Sequence, residues 1–297
     1  MAVHRGNKKY RHLDMSSERN LRKYAHFIQQ KIGVNLNSFA KLEIENALDN
    51  LHHLNEDTKH LFIKEMARDC DSSLLGEEEF TWLKNNVRAC NWTWLALKSM
   101  SSEALVEMSN PSETDNSRFH PTPIFDHVVT LKQVSSTTER YSEIIEYFDL
   151  RQSSISEKQN LLNSLKSIWA EMTPHQIELK WLDNKNDEQC SWAWTYILNS
   201  YISTENLTPI TLTDEYDSIY ASLDFWNAHP DSKILFCQKL KKAWDQKVFR
   251  KKQGNKVPLN TYITKEARDM LRLLSQDKDQ KMHETLEEII NNAFNRY

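Results

Sequence analysis

The sequence predicts a mainly α-helical protein: duplicated helical-bundle units, then one short strand and two helices at the C-terminal end. Three observations carry that reading. Only four glycines and seven prolines occur in 297 residues, so breaks in helical structure are few. Apolar residues recur at helical spacing through most of the chain. Over residues 257–264 the spacing changes to period two, and it then returns to the helical period.

The first segment, residues 1–24, holds seven Lys/Arg against two acids and reads as a basic arm that orders on binding, or as a solubilising tail. Residues 25–108 read as a helical repeat unit. Phe27, Ile28 and Ile32 form one apolar stripe, Ile44, Ala47, Leu48 and Leu51 another, and Leu61, Phe62, Met66 and Ala67 a third behind the cap signal at Asn55. Residues 109–123 are polar, contain three prolines and read as a linker. Residues 124–187 read as a second helical unit, with Tyr141, Ile144, Ile145 and Phe148, then Leu161, Leu165, Ile168 and Trp169. Residues 188–252 read as a bundle that ends in a basic helix, and residues 253–297 as the terminal domain.

An internal repeat links the two helical units. Trp82-Leu-Lys-Asn-Asn, followed by Cys90-Asn-Trp92-Thr-Trp94, resembles Trp181-Leu-Asp-Asn-Lys followed by Cys190-Ser-Trp192-Ala-Trp194. Asp231 to Trp244 reads as a partial third copy. Tryptophans two apart on a helix cannot share a face, so one is expected to pack inward and the other against a neighbouring unit. Base stacking is the functional alternative.

In the terminal domain Val257, Leu259, Thr261 and Ile263 alternate with Pro258, Asn260, Tyr262 and Thr264. A strand this short needs a partner, and the neighbouring sequence offers none. Pairing with its own copy across a two-fold axis supplies one. Val257, Leu259 and Ile263 would then form the dimer core with Leu271, Leu286 and Ile290 of the following helices. Pro258 suits the end of such a ribbon, because it lacks an N–H. The displayed face carries Asn260 and Tyr262, and a two-stranded ribbon fits the DNA major groove, so Pro258, Asn260 and Tyr262 are the candidate base-reading residues. The whole is a ribbon-helix-helix pattern. Lys281 and His283 open the last helix, where free N–H groups can hold a phosphate, provided Glu284 points away.

Charge is unevenly spread. The chain sums to −4, yet residues 239–256 hold eight Lys/Arg against the single acid Asp245. Lys239, Lys242, Lys247, Arg250, Lys251, Lys252 and Lys256 are therefore candidate phosphate contacts beside the ribbon. Cys70, Cys90, Cys190 and Cys237 are widely separated and read as reduced, buried thiols of a cytoplasmic protein. No cofactor is expected, and no metal spacing, nucleophile elbow or phosphate loop suggests an enzyme. Neither a signal peptide nor an apolar run long enough for a membrane span is legible.

Trp192-Ala-Trp194-Thr-Tyr-Ile, then Trp226, His229-Pro-Asp, a basic helix, and Met282-His-Glu-Thr-Leu through Ile290-Asn-Asn-Ala keep an order that resembles the macrodomain Ter protein (MatP) family over residues 188–297. The resemblance implies a helical bundle joined to a ribbon-helix-helix domain that binds a palindromic DNA site as a homodimer and organises the chromosome's terminus region, hence a nucleoid-associated protein. It places Lys239–Lys252 on DNA beside the ribbon, and Asn260 and Tyr262 where bases are read. The family continues into a C-terminal coiled coil that bridges DNA sites and meets a division-apparatus partner; the resemblance, which runs to Tyr297, does not cover that segment. Residues 1–187 lie outside the resemblance and offer a surface for a protein partner. The same domain in a transcriptional repressor of a plasmid, phage or mobile element is the first competing function. A helical protein–protein scaffold without DNA binding is the second.

Overall fold

The computed structural model describes Tyr10 and residues 12–36, 38–52, 54–99, 134–254, 257 and 259–297. The expected linker at 109–123 lies outside the described residues, as do Lys256 and Pro258. The described residues are mainly helical and contain no strand. They divide into two units, Met1–Trp244 and Asp245–Tyr297.

The first unit opens with α1 (Glu18–Ile32), α2 (Lys41–Asp49) and α3 (Glu56–Ser73). Polar caps set their starts: the Ser17 side chain accepts from Asn20 N–H, and the Asn55 side chain from Thr58 N–H. Gly33, at φ 76°, ends α1 in the left-handed region that glycine occupies without strain. Tyr24, Ile28, Ile44, Leu48, Met66 and Cys70 form a small core of their own.

Of the basic arm expected over residues 1–24, residues 1–9 and 11 lie outside the described residues. Tyr10 and Leu13 join this core, and Arg22, Lys23 and Tyr24 are buried in α1. Charge count favoured an arm, but the apolar stripe on α1 gives the segment a surface to bury.

The larger core is built around α5 (Val87–Ser99), which follows the short α4 (Thr81–Lys84). Every residue from Ala89 to Lys98 is buried, so α5 is enclosed on all sides. Packed on it are α4, α6 (Thr137–Leu150), α7 (Ile155–Met172) and α9 (Leu212–Phe225). In turn α9 packs on α8 (Asp187–Leu198). Reciprocal capping boxes start three of these helices: Ser136 with Glu139, Ser154 with Glu157, and Thr211 with Asp214.

The repeated segments adopt matching local structure. Asn86 and Asn186 each accept a backbone N–H three residues on, at 3.0 Å, and so cap α5 and α8. Cys90 and Cys190 follow at the same place and are both buried. Trp92 packs 5.8 Å from Trp169, and the guanidinium of Arg140 lies 5.5 Å above the Trp94 ring. Trp192 stacks against Tyr196 at 5.5 Å and Trp244 at 5.2 Å. The first tryptophan pair is thus buried on both sides, and the second joins α8 to α10 (Pro230–Gln253). α10 is held to the bundle by buried Phe236, Cys237 and Leu240. Its Lys233 donates to Leu223 O at 2.9 Å, at the C-terminal end of α9.

The second unit holds the end of α10, then α11 (Lys265–Asp277) and α12 (Met282–Phe294). Residues 259–263 are neither helix nor strand in the single chain. The short strand read from the period-two pattern is therefore absent. A ladder needs a second set of backbone groups, and one chain supplies none.

Candidate nucleic-acid interface

The second unit is a helical hairpin with too little interior. Thr264 caps α11 through Ala267 N–H at 3.2 Å. The turn into α12 closes with Gln280 N–H donating to Ser275 O at 3.0 Å, and Asp279 takes φ 49° there. Between the helices, Leu271, Ser275 and Thr285 are buried. Lys278 and Glu288 pair across the outside at 2.7 Å.

Against that small interior stands a broad apolar surface. Of twenty-four large hydrophobic side chains exposed among the described residues, thirteen fall in residues 245–297. A sixth of the chain thus carries more than half of its exposed large apolar groups. They include Val257 at 84 %, Leu259 at 64 %, Ile263 at 53 % and Ile290 at 52 % exposure. Of the predicted dimer-core residues only Leu271 is buried within the chain; Leu286 is half-buried and the other four are exposed. Met270, Leu273, Leu274, Ile289 and Phe294 extend this surface. Met270 and Leu274 keep helical spacing with Leu271, and Ile289 keeps it with Leu286 and Ile290.

The candidate base-reading residues Asn260 and Tyr262 are exposed, Tyr262 completely, in the segment just before Thr264. Lys281 and His283 are exposed at the start of α12. Glu284 does not point away. Its Oε2 accepts the Lys281 backbone N–H at 3.1 Å, so the helix start already holds a carboxylate. His283 Nε2 lies 3.8 Å from the same carboxyl group. Glu284 thus occupies one backbone donor at the start of α12, that of Lys281, and brings a negative charge to the expected phosphate seat.

Within residues 245–253, Lys247 is half-buried and Arg250, Lys251 and Lys252 are exposed. At 100° per residue Lys247, Arg250 and Lys251, at i, i+3 and i+4, share one face of the helix, and Lys252 turns away from it. Lys239 and Lys242, three apart and exposed, share a face of α10 in the first unit. Residues 245–297 carry eleven Lys/Arg and eight Asp/Glu, a balance of +3 in a chain of net charge −4. Positive charge is thus concentrated where the apolar surface lies.

Charged clusters in the first unit serve the fold. Arg88 grips Asp224 through two bonds of 2.8 and 2.5 Å, reaches Glu178 at 2.7 Å and lies over the Tyr220 ring. Burial raises the Asp224 carboxyl above its usual range, and the Arg88 contact opposes that rise. Arg140 is fully buried. It donates to Asn91 Oδ1 and Ser135 O, each at 2.9 Å, and burial lowers its pKa. Burial pushes the Cys90 thiol up to about 12 and those of Cys70, Cys190 and Cys237 to about 11, which leaves little thiolate at neutral pH. Among the described residues no group of three or more His, Cys, Asp or Glu could hold a metal ion, and no helix is long and apolar enough to cross a membrane.

Comparison with known protein families, with curated proteins and with solved structures gives no match.

Proposed function

We propose that the protein is a homodimeric, sequence-specific double-stranded DNA-binding protein of the ribbon-helix-helix class. Its role, suggested by the resemblance of residues 188–297 to the MatP family, is chromosome organisation in the nucleoid. The observation that carries the reading is the exposed apolar surface of residues 245–297, next to residues 259–263, which are neither helix nor strand, and to a basic run.

Two copies resolve both deficits at once. Residues 257–263 pair antiparallel with their counterparts, which satisfies backbone groups left open in one chain. Val257, Leu259, Ile263, Ile290 and their neighbours then leave water. Full burial of one such side chain is worth about 1.5–3 kcal/mol, and association costs on the order of 4–15 kcal/mol, so this surface is large enough to hold a dimer. The paired segments display Asn260 and Tyr262 twice, to the two halves of a palindromic site, while Lys239, Lys242, Lys247, Arg250, Lys251 and Lys252 contact phosphates.

Selection of bound duplexes from a random DNA pool with the full chain tests this; a palindrome is expected, and recovery of no preferred sequence rejects the reading. Replacing Asn260 and Tyr262 with alanine relaxes sequence preference, by about 1–3 kcal/mol per lost base contact. Replacing Lys251 and Lys252 weakens binding to all duplexes alike and flattens its salt dependence. Mapping bound sites along a genome separates an organiser, with sites scattered over a region, from a repressor with one promoter.

A further inference from the structure

We propose that residues 10–74 form a separate folding unit, latched to the rest of the first unit by ion pairs, which melts first when that latch is weakened. The inference is independent of the DNA reading.

Two cores lie side by side without a shared member. Tyr24, Ile28, Ile44, Leu48, Met66 and Cys70 belong to one, and Phe80, Trp92, Tyr147, Phe148 and Leu165 to the other. The seam between them is charged. Arg19 clasps Asp149 of α6 with contacts of 2.6, 2.9 and 3.3 Å and also donates to Leu75 O at 2.8 Å. Arg22 reaches Glu146 at 3.2 Å, and Lys158 of α7 donates to Ser73 O at 2.8 Å. The Asp149 side chain is wholly buried and that of Arg19 nearly so.

Removing one partner of such a seam leaves the other charge buried and uncompensated, which is strongly destabilising even where the intact pair adds little. The seam is also incompletely satisfied: Arg22 Nε, Ser73 Oγ, Arg151 Nε and Ser153 Oγ are buried without a partner. A core as small as that of residues 10–74 is marginal alone. Its folding therefore leans on the seam, whereas α5 and its neighbours keep a core that does not need it. Opening below the global unfolding free energy follows.

Three of the four buried thiols report the two regions separately, Cys70 inside the small core and Cys90 and Cys190 inside the large one. Alkylation of the full chain by iodoacetamide, with modified sites read by mass spectrometry, tests the latch. In Asp149→Asn, Cys70 is expected to react at least about tenfold faster than in the parent, with Cys90 and Cys190 unchanged. Arg22→Gln, with the same pattern of rates expected, provides a milder break should Asp149→Asn not fold. Equal acceleration of all three thiols, or of none, overturns the proposal.

Discussion

Glu284 shows how one carboxylate can set the strength of a polyanion contact. Its side chain satisfies the backbone at the start of α12 and lies beside His283, so it stabilises the helix end that a DNA phosphate would otherwise approach. Glu284→Gln keeps a capping acceptor and removes the charge. Affinity for duplexes of any sequence is then expected to rise by roughly two- to fivefold at low salt and to converge with the parent at high salt, as helix-terminus charge effects of about 0.3–1 kcal/mol require. Fluorescence anisotropy against a random duplex measures it; an unchanged affinity at low salt would remove Glu284 from the interface. Lys158 is the second residue with a measurable signature. Burial first, then the nearby Lys23 and Arg151, lower its pKa from 10.5 to about 8, while Asp149 and Asp69 act in the other direction. The folded protein thus holds fewer protons than the unfolded chain between pH 8 and 10.5. That group's contribution to stability rises with pH across this window, and its full penalty is present below pH 8. Lys158→Met is expected to flatten the rise. Urea midpoints taken from pH 7 to 10 distinguish this from a pH-independent loss.

At the scale of elements, helices were legible and partners were not. The stripes at Ile44 and Leu48, at Ile144 and Phe148, and at Leu165 and Trp169 each became a buried helix face, because a helix buries what its period gathers. The hundred-residue offset between Cys90 and Cys190 marked two similarly capped helices, α5 and α8. What a single chain's spacing does not encode is long-range pairing of charge. Arg19 and Arg22 counted toward a basic arm, yet their acceptors sit in α6, more than a hundred residues away. Similarly, alternation at Val257, Leu259 and Ile263 states which face is apolar but leaves the covering partner unnamed. The prediction at this scale concerns that face. Ile263→Asp places a charge in the proposed dimer core, while Leu61→Asp places one at an exposed apolar site of the first unit. Sedimentation should then show the first variant monomeric, with DNA binding lost, and the second indistinguishable from the parent. A dimer persisting in Ile263→Asp would locate self-association elsewhere.

For the whole molecule, the two units draw stability from different sources. The described residues up to Trp244 build two cores within one chain, one around α5 and a smaller one among α1–α3, whereas residues 245–297 hold only a few buried side chains between α11 and α12 and expose most of their large apolar groups. A unit whose core is completed by a second copy is stabilised by mass action, and a unit complete in itself is not. Two thermal transitions are therefore expected from the full chain. The lower one, from the C-terminal unit, should rise by roughly 5 °C or more for each tenfold increase in protein concentration, since that increase is worth about 1.4 kcal/mol per dimer. The upper one, from the large core, should stay fixed. Selected palindromic duplex should raise the lower transition further, because only the paired form offers both base-reading faces. Circular dichroism at several concentrations measures both midpoints. A lower transition that ignores concentration would mean the apolar surface of α11 and α12 does not find its partner in a second copy, and the groove-reading assignment of Asn260 and Tyr262 would lose its support.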